Sequence, residues 1–417
     1  MSSVRLLIAL LLVGYSSRAW SQTIPDLPDR WRGDVAGSRP QPAFDPVGVR
    51  LGSFLARADG DIDIGYNSNL YGRTSNVVGD GFVKVRPSVR LASDWGRHSA
   101  EIDARAEVTR FASETSQNTN EFWTRAGGAV ELGDSITLRP NIHFSRAAEG
   151  RGSVTNNLTA GTPLYNRTFG VDLGATYGAG PFRAELLVAH RRERFEDVEI
   201  AGVEIPQRGR DTNAIGGRGA LLYRITPTIS AMIQGVVDKT QNPHDDLSDL
   251  RRAHGYAVLA GIRIDPSGMI AGQIAIGFRR RFFDGSNTSS RGFTYDARLQ
   301  WYPTELLTVS LKADQQFSNS GILAANAVLV DRQTLGLAYE MYRDLNFTLE
   351  ANREHARYRD VDTTTNLLGI GVRAIYTSSP LLQLSAFARY ENRHTDRPEL
   401  AARFNALRVG ASARVRL

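Results

Sequence analysis

Few residues in this sequence are spaced for bond-making chemistry. His143 and Ser145 stand two apart. A histidine base activates a serine nucleophile only when a third group orients the base and an oxyanion site is present. Such a pair would suit lipid hydrolysis. Strand alternation, however, puts both on the polar face with Thr137, Arg139 and Asn141, away from lipid. His244, Asp245, Asp246 and Asp249 gather metal-binding donors without the spacing of an EF-hand loop, and read as a solvated loop. Glu354-His355 and the stretch His190 to Glu193 lack the H-E-x-x-H spacing of a zinc site. With 0 Cys, thiolate catalysis, disulfides and Cys-ligated metals are excluded. No phosphate-binding glycine pattern follows a strand and opens a helix, so no cofactor is implied.

What remains is charge. Lys and Arg together number 50 against 44 Asp and Glu, a net charge of +6. Only Lys84, Lys239 and Lys312 are lysines; the other basic residues are Arg. A basic balance can mean nucleic acid, but only if the charges share one patch. The elements that carry them decide the matter.

Tight-turn signals recur roughly every forty residues: Gly96-Arg97-His98, Gly133-Asp134-Ser135, Gly178 to Pro181, Ile225-Thr226-Pro227, Pro266-Ser267-Gly268, Pro303-Thr304-Glu305, Arg343-Asp344 and Ser378-Ser379-Pro380. Longer polar loops lie between them, such as Glu149 to Leu164 and Glu196 to Arg210. The flanking segments alternate with period two, which marks strands with unlike faces. In 293–302, Phe293, Tyr295, Ala297, Leu299 and Trp301 share one face, and Thr294, Asp296, Arg298, Gln300 and Tyr302 the other. Counting gives eighteen strands, from 49–65 to 403–417. Pro87 and Pro140 fall inside strands and predict bulges or strand ends there.

These polar faces are too charged for a buried core, since an unpaired buried charge costs several kcal/mol. Turning the sheet inside out removes the conflict. The expected fold is all-β: a transmembrane antiparallel up-and-down barrel of about eighteen strands, with both termini periplasmic. Its apolar face meets outer-membrane lipid and lipopolysaccharide, and its polar face lines a watery lumen. The lumen-facing set includes Lys84, Arg86, Arg90, Glu101, Asp103, Arg105, Glu107, Arg125, Arg139, Arg183, Glu185, Arg263, Arg279, Arg281, Arg298, Glu350, Arg373 and Arg389. To these alternation adds Arg191, Arg408, Arg414, Arg416, Glu131, Asp172, Glu193, Asp296, Asp314, Glu354 and Glu391. Such charges either set solute selectivity or pair into a ladder that props the wall. Nucleic acid is not an expected partner. Trp95, Tyr177, Tyr223, Trp301, Tyr302, Tyr342 and Tyr376 sit near tight turns, and Phe111, Phe122, Phe195, Phe282, Phe283, Phe293 and Phe317 near long loops, as two interfacial belts.

Apolar residues make up 41% of the chain and charged residues 23%, which excludes a polytopic helical membrane protein. The start has the form of a cleavable signal peptide over 1–21: Arg5, the apolar run Leu6 to Tyr15, then small residues Ala19 and Ser21. Residues 22–48 carry Pro25, Pro28, Pro40, Pro42 and Pro46 and read as a flexible periplasmic arm ahead of a barrel over 49–417.

The first hairpin carries more than periodicity. Gly65, Tyr66, Asn67, Ser68 and Asn69 close its first strand, Arg86, Pro87 and Ser88 lie in its second, and Asp94 to His98 form the next turn. These residues resemble the putative beta-barrel porin 2 family, which has a Gly-Tyr-Asp-Asp-Asn-like strand end and an Arg-Pro-Ser strand; here Asn67 and Ser68 replace the acidic pattern. The resemblance implies an outer-membrane barrel, in many members associated with exopolysaccharide export, and hence periplasmic export components as partners. The final row Val409, Ala411, Ala413, Val415, Leu417 is similar to the C-terminal signal read by the barrel-insertion machinery, with Leu417 where an aromatic is usual.

Overall fold

Period-two alternation of β-branched and aromatic residues with polar ones suits a pleated sheet with two unlike faces. The computed structural model describes residue 36 and residues 44–417, apart from 152, 154–160, 201, 245–251, 266–268, 285–287, 319–324, 326, 360 and 399. The signal peptide, most of the arm and the turn at 266–268 lie outside the described residues, as do Asp245, Asp246 and Asp249.

The wall strands are β1 (Phe54–Asn67), β2 (Asp80–Ser93), β3 (Ser99–Phe111), β4 (Thr119–Leu132), β5 (Ile136–Ala148), β6 (Tyr165–Ala179), β7 (Phe182–Phe195), β8 (Thr212–Arg224) and β9 (Ile229–Gln241). They continue as β10 (Ala253–Ile264), β11 (Ile270–Phe283), β12 (Thr288–Thr304), β13 (Leu307–Ser318), β14 (Val328–Tyr342), β15 (Leu345–Tyr358), β16 (Thr364–Thr377), β17 (Leu382–Thr395) and β18 (Phe404–Arg416). Each pairs antiparallel with its sequence neighbours, and β1 pairs with β18 from Asp59↔Arg416 to Asn67↔Arg408. The sheet is therefore a closed eighteen-stranded barrel without a free edge, the form that satisfies backbone polar groups in hydrocarbon. A short strand, Val49–Leu51, folds back on the start of β1. Another small hairpin, Val198–Ile200 with Val203–Ile205, lies in the β7–β8 loop.

Among the described residues the tight turns lie at one end, and the chain enters and leaves the wall there: the Leu417 amide donates to the Ala58 carbonyl at 2.8 Å. At the same end Ala36 is buried, and its amide donates to the Thr308 hydroxyl at 2.9 Å.

Pro87 and Pro140 do not make bulges. β1–β2 pairs without interruption through Gly60↔Pro87, and β5–β6 through Pro140↔Leu173. On the other side the ladder skips Arg86 and Pro87 between Val85↔Val108 and Ser88↔Arg105, then resumes in the same register. A proline lacks one donor, so the loss is local to the edge that donor would have served. The register shifts instead at Trp301/Thr304 and Glu340/Tyr342, beside tight turns.

The faces are unambiguous. Large apolar side chains such as Ile62, Ile64, Val258, Ile276 and Phe278 are exposed on the convex side. On the other side Arg263 of β10 reaches Glu185 of β7 at 2.6 Å. Three strand spacings on a flat sheet would be about 14 Å, so the contact fits only a concave surface. Trp95, Tyr177, Tyr223, Trp301, Tyr342 and Tyr376 form an exposed belt at the tight-turn end. Tyr302 departs from it, donating inward to Gln300 at 2.5 Å. The second belt is also smaller than expected. Phe122 and Phe293 are exposed, whereas Phe283 and Phe317 are buried against each other and Phe111 packs on Phe82. Near the long loops the chain has interior surface to cover, and it spends these aromatics on that.

Candidate functional site

The candidate site is the charged concave wall of the barrel. Alternation sets which side chains enter it, and strand register sets which of them meet. On β1–β4, Arg86 donates to Asp63 at 2.7 Å and Lys84 to Glu107 at 2.5 Å. Arg90 bonds Glu101 at 2.7 Å and lies 3.5 Å from Asp103, while Arg125 takes the other Glu101 oxygen at 2.9 Å. Farther round, Glu185 accepts from Arg183 at 2.9 Å as well as from Arg263. Arg298 meets Asp296 at 2.9 Å, and Arg281 pairs with Asp238. Arg389 bonds Glu391 at 2.9 Å and Glu350 at 3.4 Å, and Arg408 reaches Glu391 at 3.5 Å. Arg414 meets Asp59 at 3.2 Å.

Other cations named from the sequence have different company. Arg105 stacks over Trp123 at 4.3 Å, Arg373 over Phe387 at 5.0 Å and Arg279 over Phe317 at 5.9 Å. Arg139 donates to Thr176 at 3.2 Å. Exposure separates two groups. Arg86 and Asp63 are nearly buried, at 8% and 5% of side-chain surface, whereas Arg125 keeps 52%. The first kind is enclosed within the wall, and the second leaves its charge exposed on the concave face.

Several concave-face residues stand outside the set predicted from alternation. Asp59, Asp61 and Asp63 alternate cleanly with Gly60, Ile62 and Ile64, which was signal enough to find them. Leu222, Met232 and Leu259 form a buried apolar patch on the same face of β8–β10. Their strands are apolar on both sides, so no contrast marked them.

At the long-loop end, loop residues fold into the rim. Arg210 grips both oxygens of Glu149 at 2.9 Å and lies 4.1 Å over Phe195. Arg393, also fully buried, is within electrostatic reach of Glu149 and Glu354. Glu149 follows β5 and Arg393 ends β17, on distant arcs of the wall. Charged side chains from both arcs thus approach one another at this rim.

The motif residues of the first hairpin act on the seam between β1 and β18. Asn69 donates to the carbonyls of Arg73 at 2.7 Å and Asn405 at 2.8 Å, and Asn67 accepts from the Asn69 amide at 3.1 Å. Ser68 and Leu407 exchange two bonds, at 2.9 and 2.8 Å. Gly65 faces Gly410 across the seam. A Cβ on Gly65 would fall 2.5 Å from the Val409 carbonyl oxygen and 2.7 Å from the Phe82 ring. Tyr66 is exposed on the convex side, where Pro87 also points, and Ser88 shares the concave side with Arg86.

His143 and Ser145 face the lumen. His143 Nδ1 lies 3.5 Å from Asp172, and Asn141 donates to the same carboxylate at 2.8 Å. Asn141 also lies 3.4 Å from His143 Nδ1. In the loop, His244 bonds Asp211 at 3.0 Å. Among the described residues no group of three or more acidic or imidazole side chains is placed to hold a metal.

The family model for putative beta-barrel porin 2 matches residues 41–417. No curated protein matches the chain. Of solved structures, the copper transporter OprC is similar at 10% identity over 88% of this chain and 82% of its own, with a TM-score of 0.46. The FrpB iron transporter from Neisseria meningitidis is similar at 10% identity over 83% of this chain, which spans 64% of FrpB, with a TM-score of 0.45. The outer membrane protein opdK from Pseudomonas aeruginosa is similar at 12% identity over 87% of this chain and 99% of its own, with a TM-score of 0.43.

Proposed function

The chain belongs to the putative beta-barrel porin 2 family, and from that premise we propose that it is an outer-membrane channel whose lumen exports a polysaccharide. The tight-turn end, with both wall termini, faces the periplasm, since barrels of this kind keep short turns there and long loops outside. Periplasmic export components would dock at that end. The barrel-insertion machinery would read the convex row ending in Val415 and Leu417.

One observation carries the substrate class. Trp123, capped by Arg105 at 4.3 Å, shares the concave wall with Glu101 and the half-exposed Arg125. An aromatic face beside carboxylate and guanidinium groups is chemistry that suits sugars: the ring supports apolar C–H faces, and the charged groups bond hydroxyls or acidic substituents.

Planar-bilayer recording of the purified protein tests this. The expected result is ion conductance that soluble oligosaccharide reduces in a concentration-dependent way. Absence of conductance overturns the channel. Conductance indifferent to every saccharide overturns the substrate class and leaves a diffusion porin.

A further inference from the structure

We propose that the convex face of β9–β12, at its long-loop edge, binds the phosphorylated headgroup of an outer-leaflet glycolipid. Strand register places the groups. Lys239 lies opposite His254, and His254 opposite Phe282. One step toward the membrane centre, Tyr256 lies opposite Arg280, and Arg280 opposite Arg291. Lys239, His254, Arg280 and Arg291 are all exposed.

Three features point to an anion. Arg280 and Arg291 are like charges directly opposed across adjacent strands, an arrangement that destabilises a sheet unless something neutralises it. Among the described residues, Lys239, Arg280 and Arg291 form no ion pair; the nearby carboxylate of Asp284 goes to His254 at 3.2 Å. The Arg280 guanidinium is steadied 4.6 Å over the Phe282 ring, which itself stacks on His254. The cations are thus held out toward solvent.

Height points to a lipid as the source of the anion. Arg280 stands ten residues along β11 from Ile270, which pairs with the belt residue Trp301. At about 3.3 Å per residue and a tilt near 40°, that is roughly 25 Å, the height of an outer-membrane barrel's apolar band. Directly below lie Val258, Phe278 and Phe293, all exposed apolar side chains. Acyl chains would lie on these and the phosphates on the cations above.

The proposal rests on the outer-membrane placement and not on transport, so it fails independently of the conductance test. The protein, purified in mild detergent, is titrated with bisphosphorylated lipid A, monophosphoryl lipid A and phosphatidylethanolamine, and bound lipid is counted by native mass spectrometry. The wild type is expected to retain bisphosphorylated lipid A best. R280Q/R291Q should weaken that retention at least five-fold and K239Q by a smaller factor, with the far-ultraviolet β signature of each variant unchanged. Equal retention by wild type and the double variant overturns the proposal. So does equal retention of phosphatidylethanolamine, or full displacement by millimolar inorganic phosphate, which would mark a site for free anions. Should R280Q/R291Q fail to fold, R291Q alone gives the same reading.

Discussion

Replacing Arg86 by Met should show whether the concave charges are a scaffold. Arg86 donates to Asp63 at 2.7 Å and also lies 4.0 Å from Asp61, with little of either Arg86 or Asp63 exposed. In R86M the two carboxylates lose their shared cation. They sit two residues apart on one face of β1, about 7 Å. At an effective dielectric constant near 20 their repulsion is about 2 kcal/mol. A lost charged hydrogen bond adds about 1.5–3 kcal/mol. Lumen water relieves part of this, which gives a net destabilisation of about 3 kcal/mol, at the low end for a broken buried pair. D63N should cost less, about 1–2 kcal/mol, because Arg86 keeps Asp61. The double variant should fall short of the sum by about 1.5 kcal/mol, since one interaction is removed twice. Urea unfolding of the barrel folded into lipid vesicles, followed by tryptophan fluorescence, measures all three. The reasoning is refuted if R86M lies within about 0.5 kcal/mol of wild type, or if the single effects simply add.

Other expectations concern the lumen, the seam and the rim. Arg125 is half exposed on the concave wall, so R125E should move ion selectivity toward cations in a salt gradient, whereas R86M should leave it nearly unchanged; the reverse order would place the selective charges elsewhere. G65V pushes a side chain into the Val409 carbonyl and the Phe82 ring, and should lower the yield of folded barrel in vesicles well below that of G60A, whose added Cβ meets open space. Hydrogen bonds from Arg146, outweighing burial, and then from Arg167 hold the Glu196 carboxyl below its ordinary range. Its folded pKa lies below its unfolded one, so its contribution is full above the unfolded value and is lost as pH falls through the folded value. The urea midpoint of wild type relative to E196Q should therefore stay constant from neutral pH to the ordinary carboxylate range and shrink below it; a gap that widens in acid contradicts the triad.

Much of this architecture is legible because strand periodicity is a local signal. The alternation in 293–302 and the recurring turns give strand number and faces without any long-range information. Parity alone puts Arg298 and Asp296 on one side, but their contact at 2.9 Å depends on rotamers that no pattern encodes. The rim was harder. Phe283 and Phe317 read as interfacial because an aromatic near a strand end has the same sequence signature whether it meets lipid or a folded-in loop. The role of Asn69 was out of reach for another reason: its partner, the Asn405 carbonyl, is 336 residues away. The exposed cations of β9–β12 carry no such signal, because they begin where the apolar alternation stops.

That same separation has a kinetic side. The strand made first is completed by the strand made last. Bringing ends so distant together costs about 5 kcal/mol of chain entropy before any seam hydrogen bond forms. Until β18 arrives, β1 offers an open edge to any passing strand, its own kind included. A chain stopped before Phe404 would keep every hairpin of the wall but the last and still have no barrel, with two sticky margins in place of a seam. The last thirteen wall residues thus decide when that first margin is covered.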